Sequence, residues 1–364
     1  MLRILDRYIF REVFITFIFG ICAFSAVFIG SGTLFRIAQY ITDYGASLEA
    51  VAKIFVLGLP GVIIWTFPMS MLLAVLLTVG KLSSTSEITA MKSCGIGLYR
   101  IAAPAIILGV FVSAFAVAFN EYVVPWANSA YANVLYYEIQ HNTAPKSQEH
   151  IIIKDIQNGL MHQLVYARSY DAQQDIMHSV TLQDYDPEGN IDHVETAEYA
   201  KWDGKVWTLH NGIIYDVNDD GEREHVMRFN VQVLPINTSP TQIVREQKKP
   251  EELTMKELRA QIDIMRTQFV DTSKLEAELY QRVTVPMASL IFALIGVPLG
   301  VQPTRNSSSM GFAMSVIIIF FYYAFMTMGN AIARGGIMSP LLAVWMPNII
   351  GLIAGLILMK RASR

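Results

Sequence analysis

Two cysteines in 364 residues, Cys22 and Cys94, are too few to staple a domain. One sits in an apolar run and the other in a polar stretch, at different depths, so no disulfide between them is expected. There is no phosphate-binding loop: Gly80-Lys81 is followed by Leu82, and Val75 stands where the first glycine is required. His-Glu-x-x-His does not occur, nor any clustered Cys and His set of the kind that holds zinc. No nucleophile motif stands out for a Ser, His and Asp triad. Cations are in slight deficit, 28 Lys and Arg against 31 Asp and Glu, and the net charge of −3 argues against a nucleic-acid partner. The chain reads as having no chemistry of its own and no bound cofactor.

What it does have is apolar length. Hydrophobic residues make up 53% of the chain, with a mean hydropathy of +0.37, above the usual range of a soluble domain. Six apolar runs lie near 12–35, 54–80, 98–119, 283–301, 310–333 and 337–359. Each is close to or above the roughly 20 residues that carry a helix across a hydrocarbon core. The expectation is a membrane α-helical protein of six transmembrane helices with an inserted all-β, jelly-roll-like domain. Its parts are 1–129 with three spans, 130–250 as the β block, and 251–364 with a linker helix and three more spans.

Short loops rich in Lys and Arg stay cytoplasmic. Arg3, Arg7 and Arg11 precede the first span, and Lys81, Lys92 and Arg100 lie between the second and third. Arg305 lies between the fourth and fifth, and Lys360, Arg361 and Arg364 follow the last. Both termini are therefore expected inside and the β block outside. The charged start, Met1-Leu-Arg-Ile-Leu-Asp-Arg-Tyr8, leads into a run too long for a cleaved signal peptide and reads as a retained anchor. Arg36, Lys53, Arg282 and Arg334 stand singly near the opposite span ends, where a snorkelling anchor is the plain reading.

In the β block, Val, Ile, Thr and Tyr recur with near-alternation at 151–156, 164–167, 179–182, 197–202, 205–210 and 226–234. Gln157-Asn-Gly, Asp186-Pro-Glu-Gly-Asn, Asp203-Gly and Asn218-Asp-Asp-Gly separate them. Between Trp202 and Trp207 a hairpin is expected, with Asp203-Gly204 as a two-residue turn. Strands at this spacing suggest a sandwich or jelly roll, either with a filled core or carrying a greasy ligand. Pro235, Pro240 and Pro250 mark a linker. Leu253, Leu258, Ile262 and Met265 form a helical stripe beyond it, and Asp271-Thr-Ser-Lys caps the helix that enters the fourth span.

Between the second and third spans, Ser83 or Ser84 is placed to cap a short helix, with Glu87 in its first turn and Gly95 as its stop. Glu87 there either complements the helix dipole or belongs to a cytoplasmic knob that fits a partner's groove. Gly30-Ser-Gly32 and Gly296-x-x-x-Gly300 read as close helix packing. Phe14, Phe17, Ile21, Phe24, Phe28 and Phe35 line one face of the first span, as a packing or lipid-facing stripe. Phe320, Phe321, Tyr322 and Tyr323 form a continuous run that faces every direction.

Leu5-Asp-Arg-Tyr8, Phe67-Pro68, Ser86-Glu-Ile-Thr-Ala-Met-Lys-Ser-Cys-Gly95, Gly296-Val-Pro-Leu-Gly300 and Trp345-Met-Pro-Asn348 occur in an order of three spans, β block, three spans. In this the chain resembles the LptF/LptG permeases of the lipopolysaccharide export system, over essentially its whole length. The resemblance implies that the loop after the second span docks on a separate ABC-type ATPase dimer, which uses the ATP. By position Ser86, Glu87, Met91 and Gly95 would make that coupling. It further implies a second LptF/LptG-type permease as partner, LptC/LptA-like periplasmic bridge proteins, and an inner-membrane location. Lipopolysaccharide would be the substrate, with Arg36, Lys53, Arg282 and Arg334 meeting it. A non-transporting scaffold whose exported domain binds envelope proteins is the rival reading; the missing motifs argue against an intramembrane hydrolase.

Overall fold

Backbone in hydrocarbon has no hydrogen-bond partner but itself, so long apolar runs form helices. The computed structural model describes residues 4–140, 148–157, 160–171, 174–186, 191–217, 223–234, 248–267, 270–301 and 308–363. All six runs are helical, each long and apolar enough to cross a membrane. The first comprises α1 (Ile4–Phe28), a π-helical turn (Ile29–Thr33) and α2 (Leu34–Tyr44). Gly45 then turns the chain at φ +63°, and the Ser47 hydroxyl caps α3 (Leu48–Ser84) by accepting from the Ala50 amide. After α4 (Glu87–Ser93), α5 (Leu98–Asn133) runs on through a second π turn (Val134–Ile139). Residues 130–139, expected to open the β block, are thus helical. At 37 residues α3 is about 55 Å long, well beyond a ~30 Å hydrocarbon core.

The chain divides into two compact units, residues 1–140 with 249–364, and residues 141–248. In the first, a 3-10 turn (Pro250–Glu252) leads to α6 (Met255–Thr267), α7 (Ser273–Gly300), α8 (Ser308–Arg334) and α9 (Pro340–Ala362). Its middle is α3 and α7, whose Met71, Leu72, Val75, Phe292 and Val297 are fully or almost fully buried. A Cβ on Gly296 would meet Val75 at 3.0 Å, and one on Gly300 would meet Val79 at 2.8 Å, so this pair does pack closely. Gly30 and Gly32 do not: they have nothing within 4 Å and instead occupy the π turn. The phenylalanine stripe is also split. Phe17 is buried against Phe67, whereas Phe14, Phe28 and Phe35 are exposed, because α1 lies on the periphery.

The second unit is one antiparallel sheet in the order β1-β2-β3-β4-β5-β6, formed by Gln148–Gln157, Leu160–Asp171, Ile176–Tyr185, Ile191–Trp202, Trp207–Val217 and Arg223–Leu234. Each strand pairs with its sequence neighbours, so the described residues form an up-and-down meander rather than the Greek-key crossings of a sandwich. A crease crosses it. His150, Ser179 and Asn211, in one row on alternate strands, have φ of 56°, 50° and 56°. On both sides of that row the side chains turn inward, at Ala167 and Tyr170, Met177 and Val180, Ala197 and Ala200. The creased sheet therefore wraps one core, with Trp207 fully buried in it. Gly212 is needed there because the Phe229 ring lies where its Cβ would stand. In the hairpin before β5, Asp203 N donates to Val206 O, so the central pair is Gly204-Lys205, one residue later than expected. The Asp203 carboxylate accepts from both the Lys205 and Val206 amides, which lowers its pKa.

Candidate functional site: a docking helix and a cation-lined cavity

At one end of the helical unit α4 is presented on a short loop. Ser83 and Ser84 do not cap it; they belong to the last turn of α3, where Ser84 donates to Lys81 O at 2.9 Å. The residue before α4 is Ser86, in the left-handed region at φ 63° and with no side-chain capping bond. Gly95, at φ +81°, ends the helix after Cys94. Ile88 is buried, and Met91 packs half-buried against the same core, so Met91 forms part of the underside of α4. Ser86, Thr89, Ala90, Lys92, Ser93, Cys94 and Gly95 are exposed.

Glu87 opens the helix, with both carboxylate oxygens engaged. Thr85 Oγ1 donates to Oε1 at 2.9 Å and Tyr8 Oη to Oε2 at 3.1 Å. Nearby, Arg100 donates to the buried Asp6 carboxylate at 2.6 Å, and Lys81 pairs with Glu12 at 3.0 Å. The Leu5-Asp-Arg-Tyr8 motif is visible in the sequence, but what it holds is not. Contacts across 79 and 94 residues leave no local periodicity to read.

Near the other ends of these helices a cavity of about 370 Å³ is lined by Arg36, Tyr40, Asn128, Tyr131, Lys249 and Glu251, among others. Arg36 is exposed and makes no ion pair among the described residues. Lys249, next to Pro250 in the segment that the prolines mark as a linker, lies 5.7 Å from the Tyr136 ring centre. Its pKa is raised, first by the Tyr136 side chain and further by Glu252 and Glu251.

The structure does not bring the other three cations to this cavity. Lys53 sits between Glu49 and Glu138, 3.1 Å from each, and Arg334 pairs with Glu278 at 3.5 Å. Arg282 is not at a rim at all: only 5% exposed, it donates to the backbone carbonyls of Leu253 and Pro250. Its guanidinium locks the segment after the β unit onto α7. Asn128 donates to Glu251 O at 2.9 Å and Glu121 accepts from Met255 N at 2.8 Å, holding the same segment to α5.

A second, apolar groove of about 490 Å³ is lined by Phe28, Trp65, Met69, Phe320 and Tyr323 with neighbouring residues. The aromatic run of α8 therefore divides: Phe320 and Tyr323 face this groove, while Tyr322 is buried and donates to Asn348. Asn348 in turn donates to Thr284 O at 2.8 Å, which gives the Trp345-Met-Pro-Asn348 motif a structural role.

Curated relatives resemble the chain along most of its length. LptF, a lipopolysaccharide export system permease protein of Escherichia coli (strain K12), is 24% identical over 338 residues, covering 89% of this chain and 86% of the relative. LptG of Haemophilus influenzae is 22% identical over 312 residues, covering 82% and 81%. The family described as lipopolysaccharide export system permease LptF/LptG matches residues 7–361. With the match reaching from the Tyr8 helix to the end of α9, the chain belongs to the LptF/LptG family of lipopolysaccharide export permeases.

Proposed function

We propose that this multi-pass inner-membrane protein is the permease subunit that extracts lipopolysaccharide from the inner membrane, driven by a separate ABC-type ATPase. The observation that carries this reading is α4: a short, solvent-facing helix on a chain that has no nucleotide-binding motif of its own. Ser86, Glu87 and the exposed residues up to Gly95 form the docking surface, with Met91 supporting it from beneath. ATP is bound by the partner dimer, and a second LptF/LptG-type chain completes the substrate cavity.

Lipid A carries phosphates above several acyl chains, so a receiver needs cations over apolar surface. Arg36, beside a cavity that also holds Lys249, supplies a fixed cation, and Arg is suited to two-pronged phosphate contacts. Lys53 and Arg334 reach substrate only by leaving their carboxylates, and buried Arg282 takes no part. The apolar groove under Phe28 and Trp65 suits acyl chain. Beyond the membrane, β6 has no described strand on its outer edge and exposes Val226, Met227, Val231 and Val233. Such an edge suits addition of a strand from an LptC/LptA-like periplasmic bridge.

The test is co-purification with the ATPase and stimulation of its ATP hydrolysis by lipopolysaccharide in a reconstituted membrane. Glu87→Lys should abolish the stimulation by removing a charge-assisted contact worth about 1.5–3 kcal/mol and adding repulsion. Arg36→Glu should weaken the response to lipopolysaccharide while the ATPase stays bound. A chain that captures envelope proteins but no ATPase would be a scaffold, and the transport reading would fall.

A further inference from the structure

We infer that the start of α1 is the seat on which the docking helix is mounted, and that Tyr8 is a positioning residue that sets the Glu87 carboxylate. The inference rests on the proposed docking role of α4 and adds to it a second element of the chain.

Three polar links leave a short stretch of α1 and reach the end of α3, the start of α4 and the start of α5. Glu12 takes Lys81 at 3.0 Å, Tyr8 donates to Glu87 at 3.1 Å, and Asp6 takes Arg100 at 2.6 Å. Residues 8 and 12 are one turn apart and 6 is half a turn back, so a single end of the helix spans the whole loop. Between these links the contact is apolar: Leu5, Ile9 and Val13 share a cluster with Leu82, Ile88, Met91 and Leu98. Ile9 and Val13 are essentially fully buried there, in the same stripe as Phe17 and Gly20, which pack on α3 further along. α1 packs chiefly on α3 and α5, the helices that flank α4, so its start holds both ends of the loop and reaches α4 through Tyr8.

Glu87 gains most from this arrangement. A glutamate at the edge of a seven-residue helix would otherwise sample several rotamers. Two hydroxyl donors, one from Thr85 and one from Tyr8, fix both of its oxygens before any partner arrives. Ordering a contact group ahead of docking removes part of the entropic cost of association. Because Tyr8 belongs to α1, a slide or rotation of α1 also displaces the carboxylate.

Tyr8→Phe tests this, since it keeps the ring and removes only the hydroxyl. Hydrogen exchange is read first, on the purified full chain without any partner. The amides of residues 87–95 should exchange at least threefold faster in Tyr8→Phe than in the native chain. Thr85→Val should do the same through the other oxygen. Docking is read second, as the affinity of the ATPase for the chain in detergent. Because the lost bond is within the chain and exposed, the affinity should fall about three- to tenfold, the span of a typical net hydrogen-bond contribution. In a Glu87→Ala background Tyr8→Phe should cause no further loss, which a general destabilisation of the fold would not reproduce. Unchanged exchange in Tyr8→Phe, or an equal loss with and without Glu87, overturns the inference. Should the native chain retain no ATPase at all, the docking role falls, while the exchange measurement still decides whether α1 seats α4.

Discussion

Arg282 shows what one residue can hide in a sequence. An arginine near the start of an apolar run reads as an interfacial anchor, because cations at such places usually keep their heads in water. Its partners are the Leu253 and Pro250 carbonyls, and backbone acceptors carry no side-chain signature that would reveal them. Replacing it with Met removes two charged hydrogen bonds, leaving the Leu253 carbonyl short of a donor and the Pro250 carbonyl with the Leu253 amide alone. The expected cost is about 3 kcal/mol, read as a lower thermal midpoint of the purified chain in detergent. Arg282→Lys should recover only part of it, since an ammonium lacks the fork that reaches both oxygens. A melting curve unchanged by Arg282→Met would show that the segment is held by other contacts. The placement of Glu87 at the start of a short helix and of Arg36 where an apolar run ends is visible in the sequence, because sequence position fixes the surroundings there.

Among the elements, legibility followed periodicity. The helices were found because apolar runs need no register, but their ends were set too short: polar residues such as Glu49, Lys53 and Glu138 sit in helix beyond the apolar stretch. All six strands were found, yet most were cut at the crease. Inward residues there are three apart, as at Ala167 and Tyr170 or Met177 and Val180, so the alternation that marks a strand breaks in its middle. Within the sheet Glu195 on β4 accepts from Gln232 of β6 at 2.9 Å, and its Oε2 is buried with no hydrogen-bond partner among the described residues. Burial raises its pKa, and Asp184 adds to the rise, while Gln232 and His193 oppose it. A carboxyl whose folded pKa exceeds its unfolded one stabilises the fold at pH below the unfolded value, about 4.3, and that contribution is lost as pH rises through the folded value. Glu195→Gln should therefore melt higher than the native chain at pH 7, with the gap closing toward pH 4. A gap that stays constant or widens on acidification would assign the effect to something other than this carboxyl.

For the molecule as a whole, charge distinguishes the two ends of the helical unit. Around α4 Arg7, Arg11, Lys81, Lys92, Arg100, Lys360 and Arg361 are exposed, and only Asp6, Glu12 and Glu87 stand against them in the contacts described above. At the other end Lys53, Lys249, Arg282 and Arg334 lie among Glu49, Glu121, Glu138, Glu251, Glu252 and Glu278. An excess of Lys and Arg near span ends holds a loop on the cytoplasmic side whatever the acidic residues beside them, so we propose that α4 and both termini lie inside and the β unit, inserted between α5 and α6, outside. Arg305 would add to this excess but lies outside the described residues. The measurement uses a chain with Cys22→Ala and Cys94→Ala, carrying either Lys205→Cys on the exposed β hairpin or Ser84→Cys at the exposed end of α3. An impermeant thiol reagent should modify Lys205→Cys as soon as the outer membrane is opened. Ser84→Cys should react only once the inner membrane is opened as well. The reverse pattern would put the β unit in the cytoplasm, where no lipopolysaccharide bridge could reach it, and both the orientation and the proposed export route would have to be abandoned.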